Sequence, residues 1–325
     1  PERAPADTGE ALGQRADRLT VTIGFGASLF DGRFGLASRR PPQLADLPAF
    51  EGDALDAARS GGDLSVQCCA ETRLVAEHAL RSLARVAAGA AAVRWVQQGF
   101  NEPPADPAAG SGRNLFGFKD GTANLRGDDG ARMARNVWVD PADGPAWLAG
   151  GTFQVYRRVA CRLETWDRSP LSEQEEAVGR RRSTGAPFGG TAETDPVDSA
   201  RTPIHAHIRL ANPRTGLASE NERILRRGYS FHDGLGGDGA YDAGLAFIAY
   251  QRDPRTQFVP MQRRLAAGDA LGEYLVHTAS ALFAIPPGTT QGGYIGETLL
   301  GGVAPRVARS HPAADRTKPL PPPPR

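Results

Sequence analysis

The sequence predicts an α+β fold with two units, one in each half of the chain. The chain has 325 residues, which is long for one hydrophobic core, because a domain usually takes roughly 150 residues. Each half contains a strand pattern that is followed by a helix pattern. The halves meet near Gly150, so we predict an N-terminal unit over residues 1–149 and a C-terminal unit over residues 150–310.

The first half begins with a strand. In the segment RLTVTIGFG, Val21, Ile23 and Phe25 alternate with polar or small residues, which is the period of a half-buried strand. DLSVQCC repeats this period, and ETRLVAEHALRSLARVAAG then carries apolar residues at helical spacing. AAVRWVQQGF, in which Val93 and Trp95 alternate with other residues, predicts one more strand.

The second half repeats the order of strand and helix. WLAGGTFQVYRRVACRLETW predicts a strand-rich region, and SPLSEQEEAVGRRR predicts a helix with Pro170 at a favoured early position. GLAFIAYQRDP predicts a further strand, and VPMQRRLAAGDALGEYLVHTASALFAIPPG predicts helices that return to a strand at residues 282–285. The Pro-rich residues 311–325 predict an extended or disordered tail.

Charge and cysteine content narrow the function classes. Lys and Arg total 38 against 37 Asp and Glu, so no overall field favours nucleic acid or an anionic membrane. No run of 18 or more apolar residues is present, which excludes an ordinary membrane-spanning helix. The three cysteines give no disulfide framework. Because the chain begins at Pro1 rather than Met, we expect a secreted protein whose export signal has been removed.

A long loop carries the first unusual motif. Residues 101–131 are rich in Pro, Gly, Asn and Asp and have almost no period, which in a compact domain is typical of a functional or disordered loop. Within it, NLFGFKDGTANL places Gly117 and Gly121 around Asp120, so the backbone can turn sharply and approach a flat ligand. An ordinary Asp-Gly turn is the alternative when this motif is read alone.

Two further segments carry residues that can hold a ligand. In IHAHIRLANPR, His205 and His207 would share one side of an extended segment, and either imidazole could ligate a metal. A surface histidine pair is the alternative, since no carboxylate or cysteine cluster nearby completes a zinc site. In RILRRGYSF, Arg226 and Arg227 precede Gly228, and an arginine pair in isolation is typical of a solvated charge run.

Taken together and in this order, the motifs GxxDG, AHIRxANPR, RRG and GLxF resemble those of the dye-decolorizing peroxidases. The resemblance extends from the strand near Val21 to the IPPG at residues 285–288, and it is greatest for the secreted, twin-arginine-exported, deferrochelatase-like branch. It implies two ferredoxin-like units with antiparallel sheets and peripheral helices, which enclose haem in the C-terminal unit beneath the GxxDG loop. Because the chain has no CxxCH motif, haem b would be bound non-covalently.

The resemblance also implies roles for particular residues. His207 would be the proximal iron ligand, with His205 as the alternative, and Asp120 and Arg226 would be the distal groups that cleave hydrogen peroxide. The remaining haem-binding expectations are Leu245 and Phe247 over the distal face, Arg209 beside a propionate, Asn124 at the haem edge, Gly121 against the flat ligand, and Glu273, with Asp269 behind it, as the acidic partner of His207.

These expectations describe a peroxidase that reduces hydrogen peroxide and oxidises dyes or phenolic compounds. Leu245 and Phe247 would leave room for peroxide but not for a bulky dye, so large substrates would lose electrons at a surface tryptophan or tyrosine. One alternative is a haem carrier or iron-releasing protein with little turnover. Another is a ferredoxin-like module that binds a partner through its sheets, with the histidines and arginines as surface groups.

Overall fold

The computed structural model describes residues 6–301, which form seven strands and eight α-helices. The strands are β1 (Thr20–Gly26), β2 (Leu64–Cys69), β3 (Thr152–Cys161), β4 (Leu225–Arg226), β5 (Tyr229–Leu235), β6 (Tyr241–Gln251) and β7 (Leu275–Ile285). The α-helices are α1 (Arg73–Val86), α2 (Gly130–Asn136), α3 (Leu163–Arg168), α4 (Leu171–Val178), α5 (His207–Ala211), α6 (Leu217–Asn221), α7 (Phe258–Gly268) and α8 (Glu297–Leu300). The tail predicted at residues 311–325 lies outside the described part of the chain.

All seven described strands join in one antiparallel sheet, in the order β2-β1-β7-β3-β6-β4, with β5 also paired to β6. Strand β3 pairs along its length with β7 on one side and with β6 on the other. Strand β1 pairs with β7 at Phe25 and Gly26, so a short stretch of pairing joins β1 and β2 to the rest of the sheet. The predicted α+β fold is confirmed, and the boundary between residues 149 and 150 stays a prediction.

Strand β3 has residues of different function on its two faces. Successive side chains of a strand point to opposite sides, so Arg157, Val159 and Cys161 line a large cavity. Tyr156 and Arg158 lie on the other face, where Arg158 stacks over the ring of Phe231 at 4.0 Å. Because both faces are covered, the strand is buried over nearly its whole length, and its two buried arginines are each paired with a carboxylate.

Helices α5 and α7 pack against each other on the cavity side of the sheet. Helix α7 buries Phe258, whose ring contacts Phe247 of β6 and Phe50 at centroid distances of 5.8 and 6.1 Å. This aromatic contact joins the helix layer to the sheet and leaves the cavity between them. Among residues 6–301, no helix has both the length and the apolar character that crossing a bilayer requires.

The strand predicted in AAVRWVQQGF is wrong. Residues 92–99 have no regular secondary structure, and Phe100 makes an isolated bridge with Ser230. Trp95 points inward because its ring stacks on Tyr156 at a centroid distance of 4.9 Å, and its Nε1–H donates to the carbonyl oxygen of Gly61. Within this segment the half-buried Trp95 packs on the sheet while Val93 is exposed, so the alternation does not reflect pairing with a neighbouring strand.

Candidate active site

The cavity has a volume of about 560 Å³, which is in the range of pockets that hold small molecules and cofactors. Its walls are one face of β3, β6 and β7, helices α5 and α7, and the loop of residues 114–124. Of the residues that the sequence singles out, the cavity brings together Asp120, Gly121, Asn124, His207, Arg226, Leu245, Phe247 and Asp269.

Of the two histidines in IHAHIRLANPR, His207 is the one that faces the cavity. The segment that could have been extended is helical, since α5 begins at His207 directly after the fully buried Ala206. His205 precedes the helix, is exposed, and makes a 3.0 Å hydrogen bond between its Nδ1 and the carbonyl oxygen of Gly268. Of the two candidate ligands, the structure therefore places His207, and not His205, in the cavity wall.

Asp269 is the acidic partner of His207. The Nδ1–H of His207 donates to Oδ2 of Asp269 at 2.6 Å, and the Asp269 side chain is 4% exposed. Oδ1 of Asp269 accepts from the backbone N–H of Leu271 at 3.0 Å, which caps the 3₁₀ helix Ala270–Tyr274. The choice of Glu273 over Asp269 is wrong, because Glu273 lies at the far end of this helix, is exposed, and does not line the cavity.

The hydrogen bond to Asp269 raises the pKa of His207 and orients its imidazole. Burial opposes protonation of His207, but the negative charge and the hydrogen bond of Asp269 outweigh it, so the pKa of His207 is raised. A carboxylate that accepts from Nδ1 fixes the tautomer and leaves the Nε2 lone pair available to a metal, while it increases the basicity of the ring. This is the arrangement that an axial histidine ligand requires.

The GxxDG loop presents Asp120 through a tightly turned backbone. Gly117 and Gly121 adopt φ values of 81° and 95°, which side chains other than glycine rarely tolerate. Oδ1 of Asn114 accepts from the backbone N–H of Phe116 and Phe118 at 3.1 and 3.2 Å. The loop is therefore an ordered structure, in contrast to the isolated Asp-Gly turn that the motif alone would allow.

Asp120 forms an ion pair with Arg226. Nη1 of Arg226 donates to Oδ2 of Asp120 at 3.2 Å, and Nη2 donates to Oδ1. Burial opposes ionisation of Asp120, but the charge and hydrogen bonds of Arg226 lower its pKa below the ordinary value. The carboxylate is also close enough to His207 for the two charges to affect each other. The pair is therefore ionised at neutral pH and faces the cavity that His207 lines.

Asn124 fastens the GxxDG loop to strand β4. Its Nδ2 donates to the carbonyl oxygen of Arg226 at 2.7 Å, and its Oδ1 accepts from the backbone N–H of Arg226 at 2.9 Å. These two hydrogen bonds set the distance between the loop and the strand from which the Arg226 side chain extends. Asn124 thus holds Asp120 and Arg226 in register, in addition to lining the cavity.

Strand β6 contributes two apolar side chains to the wall, Leu245 and Phe247, which point into the cavity. Arg209 is not part of the wall, so its expected contact with a propionate is wrong. Its Nη1 donates to the carbonyl oxygens of Ser199 and Thr202 at 2.6 and 2.7 Å. The reason is the helix, since positions two apart on a helix face different directions.

Three arginines that sequence reasoning missed line the cavity: Arg180, Arg214 and Arg223. Burial and the positive charges of Arg180 and Arg223 lower the pKa of Arg214. Such a group of buried cations favours an anionic ligand. The NPR that ends at Arg214 is the part of the sequence that could have indicated this arginine, but the sequence alone does not show that its guanidinium points into the cavity.

His277 and Arg157 form another part of the wall that the sequence did not indicate. Arg157 is 1% exposed and pairs with Asp53, which also lies 3.9 Å from Nδ1 of His277. Burial and the charge of Arg157, opposed by Asp53, lower the pKa of His277 to about 4. His277 is therefore neutral at neutral pH.

The residues of this cavity fit haem. A large, partly apolar space, an imidazole with a hydrogen-bonded Nδ1, and a group of arginines for carboxylates are what a haem pocket needs. An ionised Asp–Arg pair in the same cavity can move a proton and stabilise negative charge. Together with the α+β fold, this site defines the class of haem peroxidases.

Comparisons with known proteins agree with this class. The family model for the Dyp-type peroxidase N-terminal part matches residues 1–101, and the model for the C-terminal part matches residues 111–290. The chain therefore belongs to the Dyp-type peroxidase family. This membership confirms the resemblance found in the sequence, the predicted enzyme class and the haem cofactor.

Relatives and solved structures of similar sequence extend this result. The chain is 42% identical over 311 residues to deferrochelatases of Shigella flexneri and Escherichia coli, covering 92% of this chain and 73% of each relative. Ferric DtpA from Streptomyces lividans is 44% identical with a TM-score of 0.81, covering 87% of this chain and 78% of that one. A DypB variant from Rhodococcus jostii in complex with heme is 25% identical with a TM-score of 0.66, covering 83% and 79%.

Proposed function

We propose that the chain binds haem b through Nε2 of His207 and uses Asp120 and Arg226 to reduce hydrogen peroxide, with dyes or phenolic compounds as electron donors. The observation that carries this proposal is that the His207–Asp269 pair and the Asp120–Arg226 pair face one cavity. Bound haem supplies the redox chemistry of the reaction. The protein supplies the ligand, the proton transfer and the access route.

Asp120 is the group that moves the proton. Its pKa is held below the ordinary value, so at neutral pH its carboxylate accepts a proton from peroxide and then returns it to the departing oxygen. Arg226 donates to Asp120 and stays charged, since Asp120 raises its pKa against the effect of burial. A fixed cation beside the departing oxygen stabilises the negative charge that develops there.

The other walls of the cavity orient the cofactor and limit access. Arg180, Arg214 and Arg223 would bind the haem carboxylates, in place of the predicted Arg209. Leu245 and Phe247 add apolar side chains to the cavity that Asp120 also lines, which favours peroxide over a bulky dye. Large donors would then give up electrons at the protein surface.

Peroxide-dependent oxidation of a dye at acidic pH tests the proposal. Haem-loaded wild type should oxidise the dye, and Asp120→Asn and Arg226→Leu should lose most of this rate while they keep haem. Glu176→Gln is a matched control, because Glu176 is an exposed residue of α4 that does not line the cavity. Equal rates in the wild type and both cavity variants would contradict the assigned roles.

Iron release from haem is a second candidate function, and the 42% identity to deferrochelatases favours it. It uses the same cavity, so the residues alone do not separate the two functions. Incubation with haem and a ferrous chelator, without peroxide, should give metal-free porphyrin fluorescence if iron is released.

Secretion also stays a prediction, which fractionation of expressing cells would test.

A further inference from the structure

A buried cluster on the outer side of the GxxDG loop surrounds Glu193. Nζ of Lys119 donates to Oε2 of Glu193 at 2.7 Å, and Oγ1 of Thr122 donates to Oε1 at 2.6 Å. The backbone N–H of Ser111 donates to Oε2 at 3.3 Å. Lys119 and Thr122 lie on either side of Asp120 in the sequence, so each carboxylate oxygen of Glu193 binds a residue on one side of Asp120.

The cluster is largely shielded from water and contains an ion pair between Lys119 and Glu193. The side chains of Lys119 and Glu193 are 13% and 11% exposed. Burial opposes ionisation of Glu193, but its hydrogen bonds with Lys119, Ser111 and Thr122 outweigh it and lower its pKa to about 2. Hydrogen bonds between charged, desolvated groups are stronger than those between neutral groups at the surface.

The backbone around Glu193 is held in place as well. Nη1 of Arg180 donates to the carbonyl oxygens of Glu193 and Gly185 at 2.8 and 2.6 Å. A Cβ on Gly110 would lie 2.4 Å from Oε2 of Glu193, and one on Gly185 would lie 2.6 Å from the Lys119 side chain. The carboxylate therefore sits in a fitted space between two segments of the chain, residues 109–124 and 180–193.

Lys119 and Thr122 line the cavity, whereas Glu193 does not. We propose that Glu193 is a positioning residue that holds the GxxDG loop so that Asp120 meets Arg226 and peroxide in the productive geometry. This proposal rests on the proposed function, because it acts through Asp120. Asn124 fastens the end of the loop to β4, and Glu193 fastens the part that carries the carboxylate itself.

Hydrogen exchange of the protein without haem tests, independently of catalysis, whether Glu193 holds the GxxDG loop in place. In Glu193→Gln, amides of residues 117–124 should exchange about 10-fold faster than in wild type, because charge-assisted hydrogen bonds to the loop are lost. Thr122→Val removes one contact and should give a smaller increase in the same peptides, and it carries the test if Glu193→Gln does not fold. Glu176→Gln should exchange as wild type. Unchanged exchange at residues 117–124 in both loop variants would overturn the proposal.

The second measurement asks whether Glu193 acts through Asp120. Glu193→Gln should lower the rate constant for reaction of the haem-loaded protein with peroxide by about 10-fold, since small misplacement of a reacting group costs this much or more. Glu193→Asp, which keeps the charge, should recover part of the rate. In an Asp120→Asn background, Glu193→Gln should have no further effect, and an equal loss in both backgrounds would overturn the proposal. If the wild type itself does not react with peroxide, the proposed function fails. The exchange result would still show whether Glu193 holds the GxxDG loop in place.

Discussion

Replacement of His277 by glutamine should make the protein more resistant to acid. His277 lines the cavity, and burial together with the charge of Arg157 lowers its pKa from 6.5 to about 4, against the opposing effect of Asp53. Between these two pH values the unfolded chain binds a proton at His277 and the folded chain does not. Protonation therefore favours unfolding, and stability is lost as the pH falls from about 6.5 to about 4.

The size of this effect follows from the shift in pKa. One pKa unit corresponds to about 1.4 kcal/mol, so the shift makes His277 responsible for a loss of roughly 3 kcal/mol in the free energy of unfolding. Its side chain is 19% exposed, so solvent screening reduces this value only in part. A loss of this size is a large fraction of the stability of an ordinary domain.

Urea unfolding of the protein without haem, followed by circular dichroism at pH 7 and pH 4.5, measures this effect. The wild type should lose more stability between the two pH values than His277→Gln does. His232→Gln serves as a control, because His232 is an exposed residue of β5. Equal acid losses in the wild type and in His277→Gln would refute the assigned burial and charge environment of His277.

Three further predictions concern the site. Asp269→Asn should weaken haem binding by about 10- to 100-fold, as a titration of the Soret band would show, because it removes the charge that orients the proximal histidine; unchanged affinity would contradict this role. Because Arg226 keeps the pKa of Asp120 below the ordinary aspartate value of about 3.9, the rate constant for reaction with peroxide should fall with decreasing pH only below that value. Stopped-flow measurements should show that Asp120→Asn abolishes this fall. Gly121→Ala should lower the free energy of unfolding by roughly 1–2 kcal/mol in a urea titration, because the φ of Gly121 is 95°. Gly127→Ala is the control and should cost less, because Gly127 has no positive φ and lies in open space.

The central groups of the site could be predicted from the sequence because each lies within a short motif. Each motif alone allows an ordinary turn or surface group, and it is the resemblance of the ordered motifs to the dye-decolorizing peroxidases that predicts the roles of Asp120, His207 and Arg226. The structure brings these three residues to one cavity. A local motif does show where the backbone must turn tightly, as it does at Gly121 with a φ of 95°.

The errors arose where the orientation depends on packing between distant segments. Glu273 and Asp269 are both acidic and close in sequence, and only the start of the 3₁₀ helix shows which one points at His207. Arg209 would share a side with His207 in a strand, but α5 turns it away. The role of Glu193 depends on contact with a loop more than 70 residues away, and no local pattern reveals such a contact.

The absorption spectrum of haem-loaded wild type and His207→Ala, before and after addition of hydrogen peroxide, tests the central claim most directly. Wild type should show a ligated ferric Soret band that shifts on addition of peroxide, and His207→Ala should show lost or altered ligation. A wild type that binds no haem, or a His207→Ala variant with the same spectrum and the same peroxide response as wild type, would contradict the account.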